Sequence, residues 1–262
     1  MKNQNKFNVF EPMLANFETD LIKNYFVDMI QEIPDYIFTM PSSTSGNYHN
    51  KTQCETYGQV YHAYMFSEIL NYRLNLKGNK EKYSNPILRD CMRCVPVFHD
   101  AVKCGLNGSQ YTVHEHPMLA HDWVLNTVVE HDIDLKLKKL IAEMCAAHSG
   151  EWTSSKRSKV VLPEPKNDME LFIHECDILS SRNNIDMIIS DELKELMQSN
   201  FPVKIELPDV APGDYVITFG KHSGSALKEI PRDYLQWMLI QDKFPVKEPL
   251  KTFAMQILKG EN

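Results

Sequence analysis

The sequence has no long apolar run. No stretch approaches the roughly 20 consecutive apolar residues of a membrane-spanning helix, and the opening residues, MKNQNKFNVFEPM, lack the apolar core of a secretory leader. Both absences predict a cytoplasmic protein without membrane contact. A basic surplus is missing as well: 28 Lys and Arg against 35 Asp and Glu leave a net charge of −7. A chain of that sign repels a nucleic-acid backbone as a whole, so contact with DNA or RNA would need a local basic patch. Cys91 and Cys94 form a CxxC, but no second pair accompanies them, and a zinc site wants one at comparable spacing. The six cysteines therefore read as reduced core thiols, with a structural zinc on Cys91, Cys94 and Cys104 as the alternative. Internal repeats and low-complexity tracts are also absent. What is there is an ordinary globular composition, 43% hydrophobic and 24% charged over 262 residues, long enough to bury a core without a staple.

Strand-like alternation is scarce up to about residue 200, and helical spacing dominates instead. Val60, Met65, Phe66 and Ile69 recur at three- and four-residue steps, as do Leu137, Leu140, Ile141 and Met144. Pro202, Pro208 and Pro212, closed by Gly213, cannot continue a helix and mark a boundary. Beyond them DYVITFG reads as one short strand and DYLQWMLI as a helix. The expected organisation is an all-α helical domain over 1–200, a Pro-rich connector over 201–213 and a small α+β module over 214–262.

Ten histidines, many beside acids, are the unusual feature, because imidazole is the commonest metal ligand when several converge. Three His-Asp dipeptides occur, His99-Asp100, His121-Asp122 and His131-Asp132. Only the first follows a buried-looking run, Val95, Val97 and Phe98, and only it has a lysine, Lys103, three positions after the acid. Further candidates follow in chain order: His62, His116, His148 and Asp177. His62 shares a helical face with Met65, Phe66 and Ile69, and His148 follows Met144 by four residues, so each takes an apolar, core-facing position. Taken singly, such a residue is a core histidine bonded to a carbonyl. Taken as an ordered set, the residues point to a metal site.

That order, H…HD…H…H…D, resembles the HD superfamily of metal-dependent phosphohydrolases from about Pro41 to Arg182. The pieces are PSSTSGNYH with GQVYH, then FHDAVKCG matching the HDxxK signature, EHPMLA, HSGEWT and HECDILSSR. The resemblance implies an all-α HD-type domain in which His62, His99, Asp100 and Asp177 hold the principal metal. It gives His116 and His148 to a second metal or to substrate phosphate, and Lys103 to a phosphate. Pro96 is expected to interrupt the helix entering the His-Asp pair. Ser149 stands where bimetallic members often carry another histidine, which leaves one metal or two open.

A shell of imidazole and carboxylate suits Mn, Fe, Co, Ni or Zn, with Mg as a further candidate, better than Ca. Such an ion acidifies water for attack on phosphorus. Asp100 is the expected orienting group for that water, and Lys103 the stabiliser of phosphoryl charge. Trp152, with Lys156, Arg157 and Lys159 close behind, places an aromatic beside a basic cluster that could stack a base and hold phosphate, or form a solvated loop. Gly46, Tyr48 and His49 resemble a loop that covers the site in some relatives, and His174, three residues before Asp177 on nearly the same helix face, is expected to stand behind the ligands.

The C-terminal ITFGKHSGSALKEIPRDYLQWML resembles a small domain appended to certain DNA exonucleases, through Phe219, Gly220, Lys221, Gly224, Leu227, Tyr234, Leu235 and Trp237. It is expected either to contact nucleic acid or to dock. The reading for the whole chain is a divalent-metal-dependent phosphohydrolase acting on a nucleotide or a short or single-stranded nucleic acid. The alternative from another class is a non-catalytic HD-type nucleotide-binding or regulatory protein.

Overall fold

The computed structural model describes residues 3–43, 49–109, 111–156, 158–182, 189–203, 207–240, 246 and 248–260. Contacts divide the chain into two compact units, Met1–Pro202 and Val203–Asn262. No helix among the described residues is long and apolar enough to cross a membrane.

The first unit is built from helices α1 (Gln4–Phe10), α2 (Asp20–Met29), α3 (Gly58–Asn75), α4 (Lys77–Lys82), α5 (Pro86–Phe98), α6 (His116–Asn126), α7 (Leu135–Ala147), α8 (Asp168–Ser181) and α9 (Asp191–Asn200). Their starts follow local chemistry. Asn85, Asp134, Asn167 and Ser190 each accept a hydrogen bond from a first-turn backbone N–H of α5, α7, α8 and α9. For α2 that service comes from another helix: the buried Asp90 carboxylate of α5 accepts from Thr19 N and Thr19 Oγ1, both at 2.7 Å. Glycine is required where α3 begins, because a Cβ on Gly58 would lie 2.0 Å from the carbonyl oxygen of Gln53.

α3 is the central element, with 12 of its 18 residues buried, and it packs on α5 and α8. α7 packs on α5, α6 and α8, completing the layer around it. The residue before His99 pins that end of α5: the Phe98 ring stacks on Phe26 at 5.5 Å and meets the edges of Trp123 at 5.4 Å and Tyr25 at 6.3 Å. Each such pair adds roughly 0.5–1.5 kcal/mol beyond its buried area. The His-Asp pair therefore leaves a rigid helix end rather than a loop.

Pro96 does not interrupt that helix, contrary to expectation; α5 runs through it to Phe98. A proline this close to the C-terminus removes one N–H from the ladder, while His99 N still reaches Val95 O at 3.0 Å. The cysteines are all free, and among the described residues none belongs to a group able to share a metal ion. Cys91 and Cys94 are wholly buried, and burial pushes the Cys91 thiol up to about 12. The thiolates that a structural zinc would require are therefore disfavoured there.

The second unit buries its own apolar set, including Ile217, Leu227, Leu235, Phe253 and Ile257, around α10 (Arg232–Leu239) and α11 (Leu250–Lys259). The α+β expectation is not supported: among the described residues the unit has no strand, only a single antiparallel bridge between Val216 and Ala226. Gly220 and Gly224, both at positive φ, close the turn. A 3-10 turn beginning at Leu227 then ends the pairing after one bridge. Phe201 belongs to the first unit, its ring stacked on Phe38 at 4.3 Å.

Candidate metal centre

Three helix ends and two helix interiors deliver the site. His62 comes from the second turn of α3, His99 and Asp100 from the end of α5, His116 from the first residue of α6, His148 from the end of α7 and Asp177 from the third turn of α8. The structure brings all six together. His62 Nε2 lies 3.0 Å from Asp177 Oδ1 and 3.3 Å from His99 Nε2. On the other flank His116 Nε2 lies 3.2 Å from Asp100 Oδ1 and 3.3 Å from His148 Nε2. The His99 and His148 rings join the two flanks, edge to face at 4.8 Å. His62, His99, Asp100 and His148 are buried, while the side chains of Asp177 and His116 keep 17% and 14% exposure and mark where the cluster opens.

The orientation of the rings follows from their other nitrogen. His99 Nδ1 faces Val95 O at 3.1 Å, His116 Nδ1 faces Val113 O at 2.8 Å and His148 Nδ1 faces Cys145 O at 2.7 Å. A carbonyl only accepts, so each Nδ1 carries the proton and donates. For His62 the partner is Ser180 Oγ at 3.2 Å. The single Ser180 hydroxyl proton goes to Asp177 O at 2.7 Å, so Oγ is left to accept from His62 Nδ1. In its neutral form each of the four imidazoles thus turns an Nε2 lone pair inward, the arrangement in which outer partners orient metal-ligating histidines.

This donor set fits a cation. Two pairs of Nε2 lone pairs face each other at 3.3 Å, His62 with His99 and His116 with His148. Such pairs repel unless a proton or a metal ion lies between them. With the proton of neutral His116 on Nδ1, its Nε2 at 3.2 Å gives Asp100 Oδ1 no hydrogen, so this buried oxygen accepts no hydrogen bond among the described residues, and an oxygen of that kind is costly without a partner. The groups His62, His99, Asp177 and His99, Asp100, His148 each bring their donor atoms within 4.8 Å of one another. Mixed imidazole and carboxylate donors at such spacing suit a divalent transition metal.

The electrostatics separate the roles. Burial pushes the Asp100 carboxyl up, yet the Lys103 ammonium and the imidazoles of His99 and His116 outweigh it and hold it well below the carboxylate range. Lys103 Nζ donates to Asp100 Oδ2 at 2.6 Å, and Gln59 Nε2 donates to the same oxygen at 3.1 Å. Asp177 is likewise held low: His62 at 3.0 Å and the neighbouring imidazoles overcome its burial. Burial lowers His62 despite Asp177. It takes His148 down to about 3, helped by the charges of His99 and His116. His99 goes the other way, because Asp100 more than offsets its burial.

Not every expected residue reaches this cluster. The Trp152 ring, half exposed, lies against His174 at 5.9 Å. His174 turns its Nδ1 to His148 O at 2.6 Å and its Nε2 to Glu151. His49 rests edge-on against His62 at 4.7 Å, whereas Gly46, Tyr48 and Arg157 lie outside the described residues. The remaining His-Asp dipeptides serve elsewhere: His121 pairs with Asp122, and His131 bonds Asp28. Sequence reasoning missed Gln59 and Ser180. Each lies three residues from a cluster residue on the same helix, Gln59 before His62 and Ser180 after Asp177, which is the signal that could have found them.

Gly150 holds the turn after His148. Its φ is +58°, and a Cβ there would fall 2.0 Å from Cε1 of His174. Gly150→Ala is therefore expected to displace His174 from His148 O and lower the melting temperature by roughly 6–12 °C, equivalent to about 3 kcal/mol. Gly105→Ala is the control, since Gly105 has φ +76° but nothing within 4 Å of a Cβ. It should cost only about 1–2 kcal/mol of left-handed strain. Thermal melts of the two variants side by side check this; equal shifts would contradict it.

Comparison with protein-family models, with curated proteins and with solved structures returns no match, so the reading of this site rests on its own geometry.

Proposed function

We propose that the chain is a divalent-metal-dependent phosphohydrolase of the HD type, acting on a phosphoester of a nucleotide or of a short or single-stranded nucleic acid. The observation that carries this reading is the convergence of four Nδ1-anchored imidazoles with two depressed carboxylates beside a buried lysine. His62, His99, Asp100 and Asp177 would hold the principal ion, with His116 and His148 for a second ion or for the substrate phosphate. When bound, such an ion acidifies a water and neutralises phosphoryl charge.

The chain's own residues supply the rest. Asp100 Oδ2 is occupied by Lys103 and Gln59, which leaves Oδ1 as the oxygen free to orient a water or accept its proton. Lys103 brings a fixed positive charge next to the carboxylate, placed to meet a phosphate oxygen and to stabilise the charge that grows on it. The partly buried His116 lies on the open side, in position to contact the incoming phosphate. In the second unit Lys221 lies in the turn between Gly220 and Gly224, and the exposed Phe219 adjoins it. In this reading the turn would contact a longer nucleic-acid substrate, or else dock.

The test is metal content by elemental analysis of protein purified without chelator, paired with product release from dNTPs, NMPs, cyclic nucleotides and short oligonucleotides with Mn, Co, Ni or Mg added. Near-stoichiometric metal with cleavage of one substrate class is the expected result. Metal without turnover on any phosphoester would support a nucleotide-binding or regulatory protein instead. Absence of both metal and turnover would overturn the enzyme and leave a binding protein.

A further inference from the structure

The first unit contains a cavity of about 610 Å³ that shares no residue with the metal centre. It lies between the turn after α1, the outer face of α3 and the start of α9. Tyr64, Met65, Leu193 and Leu196 give it an apolar wall, and Ile189 adds to the same side. Glu11, Glu68 and Glu192 line it as well, all exposed at the rim. Among the described residues that line it there is no lysine or arginine. The three carboxylates have no ion pair among the described residues either, although Lys194, on the same helix as Glu192, pairs with Asp191.

These features narrow the ligand. The volume falls within the roughly 300–1,000 Å³ range of small-molecule sites, which combine an apolar lining with a few polar groups that fix orientation. An anion would meet three carboxylates of its own sign. A single inorganic ion fits poorly, because the three glutamates come from separate elements. They also form no group whose donor atoms approach within 4.8 Å. A neutral apolar ligand would leave the charged rim unused. We propose that this cavity is a binding site for an organic cation with an apolar body, a protonated amine carrying an aromatic or alkyl frame. The body lies along Tyr64, Met65 and Leu193, and the ammonium reaches the glutamate rim.

The wall of the cavity is continuous with the support of the metal centre. Met65 follows His62 by three residues on α3, and its Sδ accepts from Gln53 Nε2 at 2.8 Å. The same Gln53 nitrogen donates to Ser180 O at 2.8 Å. A bound cation would therefore press on the wall behind His62, but its binding does not depend on the phosphohydrolase reading and is measured without reference to it.

The probes are dansylcadaverine, an aromatic sulfonamide bearing a primary ammonium on an alkyl tether, and its carboxylate counterpart dansyl-aminocaproate. Both are titrated into the full chain and followed by fluorescence. Single-site saturation is expected for the ammonium probe, with affinity about tenfold above the carboxylate probe, the size that a few exposed ion pairs provide. The double variant Glu68→Gln/Glu192→Gln should lose most of that preference with an unchanged circular-dichroism melt. Leu193→Trp, which fills the apolar wall, should abolish binding of both probes. No saturable binding of the ammonium probe, equal affinity for the two probes, or binding unchanged in the variants would each overturn the proposal.

Discussion

His99→Ala is expected to yield a folded protein that purifies without its metal and without phosphoester turnover. His99 is the one imidazole shared by the two metal-capable groups of this cluster; the third such group among the described residues, Asp28, Glu130 and His131, lies apart from it. Removal of His99 takes a donor from both groups of the cluster at once and leaves His62 and His148 without a common neighbour. The ring also packs against Phe66 at 5.3 Å, so truncation leaves a void costing about 2–5 kcal/mol. A domain of this size tolerates such a loss only in part, and circular dichroism must accompany the metal analysis. Asp177→Asn is the gentler companion, because it conserves volume and removes the charge from an oxygen 3.0 Å from His62 Nε2. Ser180→Ala grades the effect. It removes the acceptor that orients His62, together with the hydroxyl bond to Asp177 O, while leaving every donor atom of the cluster in place, and should weaken metal affinity roughly 10–100-fold, as changes behind the ligands do. The expected order of metal retention is wild type, Ser180→Ala, Asp177→Asn, His99→Ala. Stoichiometric metal in folded His99→Ala would refute the ligand assignment.

How far the sequence discloses this site depends on how each residue is encoded. His99-Asp100 is legible because it ends a helix whose buried run is continuous in sequence, and Lys103 falls one turn of chain later. His62, His116, His148 and Asp177 are legible only as an ordered series, since each alone reads as a core residue, and in the structure each is indeed packed and hydrogen-bonded. Ser180 and Gln59 carry no such mark. Their partners are remote, Ser180 bonding a histidine 118 residues away and Gln59 an aspartate 41 residues away. Their three-residue spacing from His62 and Asp177 marks the face they share, but a serine or glutamine there does not disclose which residue another helix will bring to it.

The errors have the same physical origin, tertiary context deciding against local preference. Pro96 reads as an interruption, but a helix ending two residues later loses little by accommodating it. DYVITFG reads as a strand because its residues suit one, yet a strand needs a partner along its length. Here the partner turns into a 3-10 helix after a single bridge.

Acidification of the metal-free protein is expected to destabilise it steeply below about pH 6.5, where an ordinary histidine begins to charge. His148 and His49 are each held down to about 3, mainly by burial, and His62 is lowered in the same way. A folded pKa below the unfolded one means that the unfolded chain binds the proton first. Each such histidine then removes about 1.4 kcal/mol of stability per pH unit as the pH falls through that window. Asp100 and Asp177 do not share it. Their folded pKa values lie below the unfolded value near 3.9, so their stabilisation persists above that pH and is lost only in stronger acid. His99, raised by Asp100, is charged in both states at low pH and adds no slope there. Its contribution disappears instead as the pH rises through its folded value. Denaturant unfolding of chelated protein at pH 6.5, 5.5 and 4.5 should therefore show a falling free energy. His148→Gln should reduce the slope by about 1.4 kcal/mol per pH unit while removing one inward lone pair. Metal-loaded wild type should lose stability more steeply still, since the same protons that charge the imidazoles expel the ion. An unchanged slope in His148→Gln would mean that this imidazole is not the buried, neutral donor that the cluster requires.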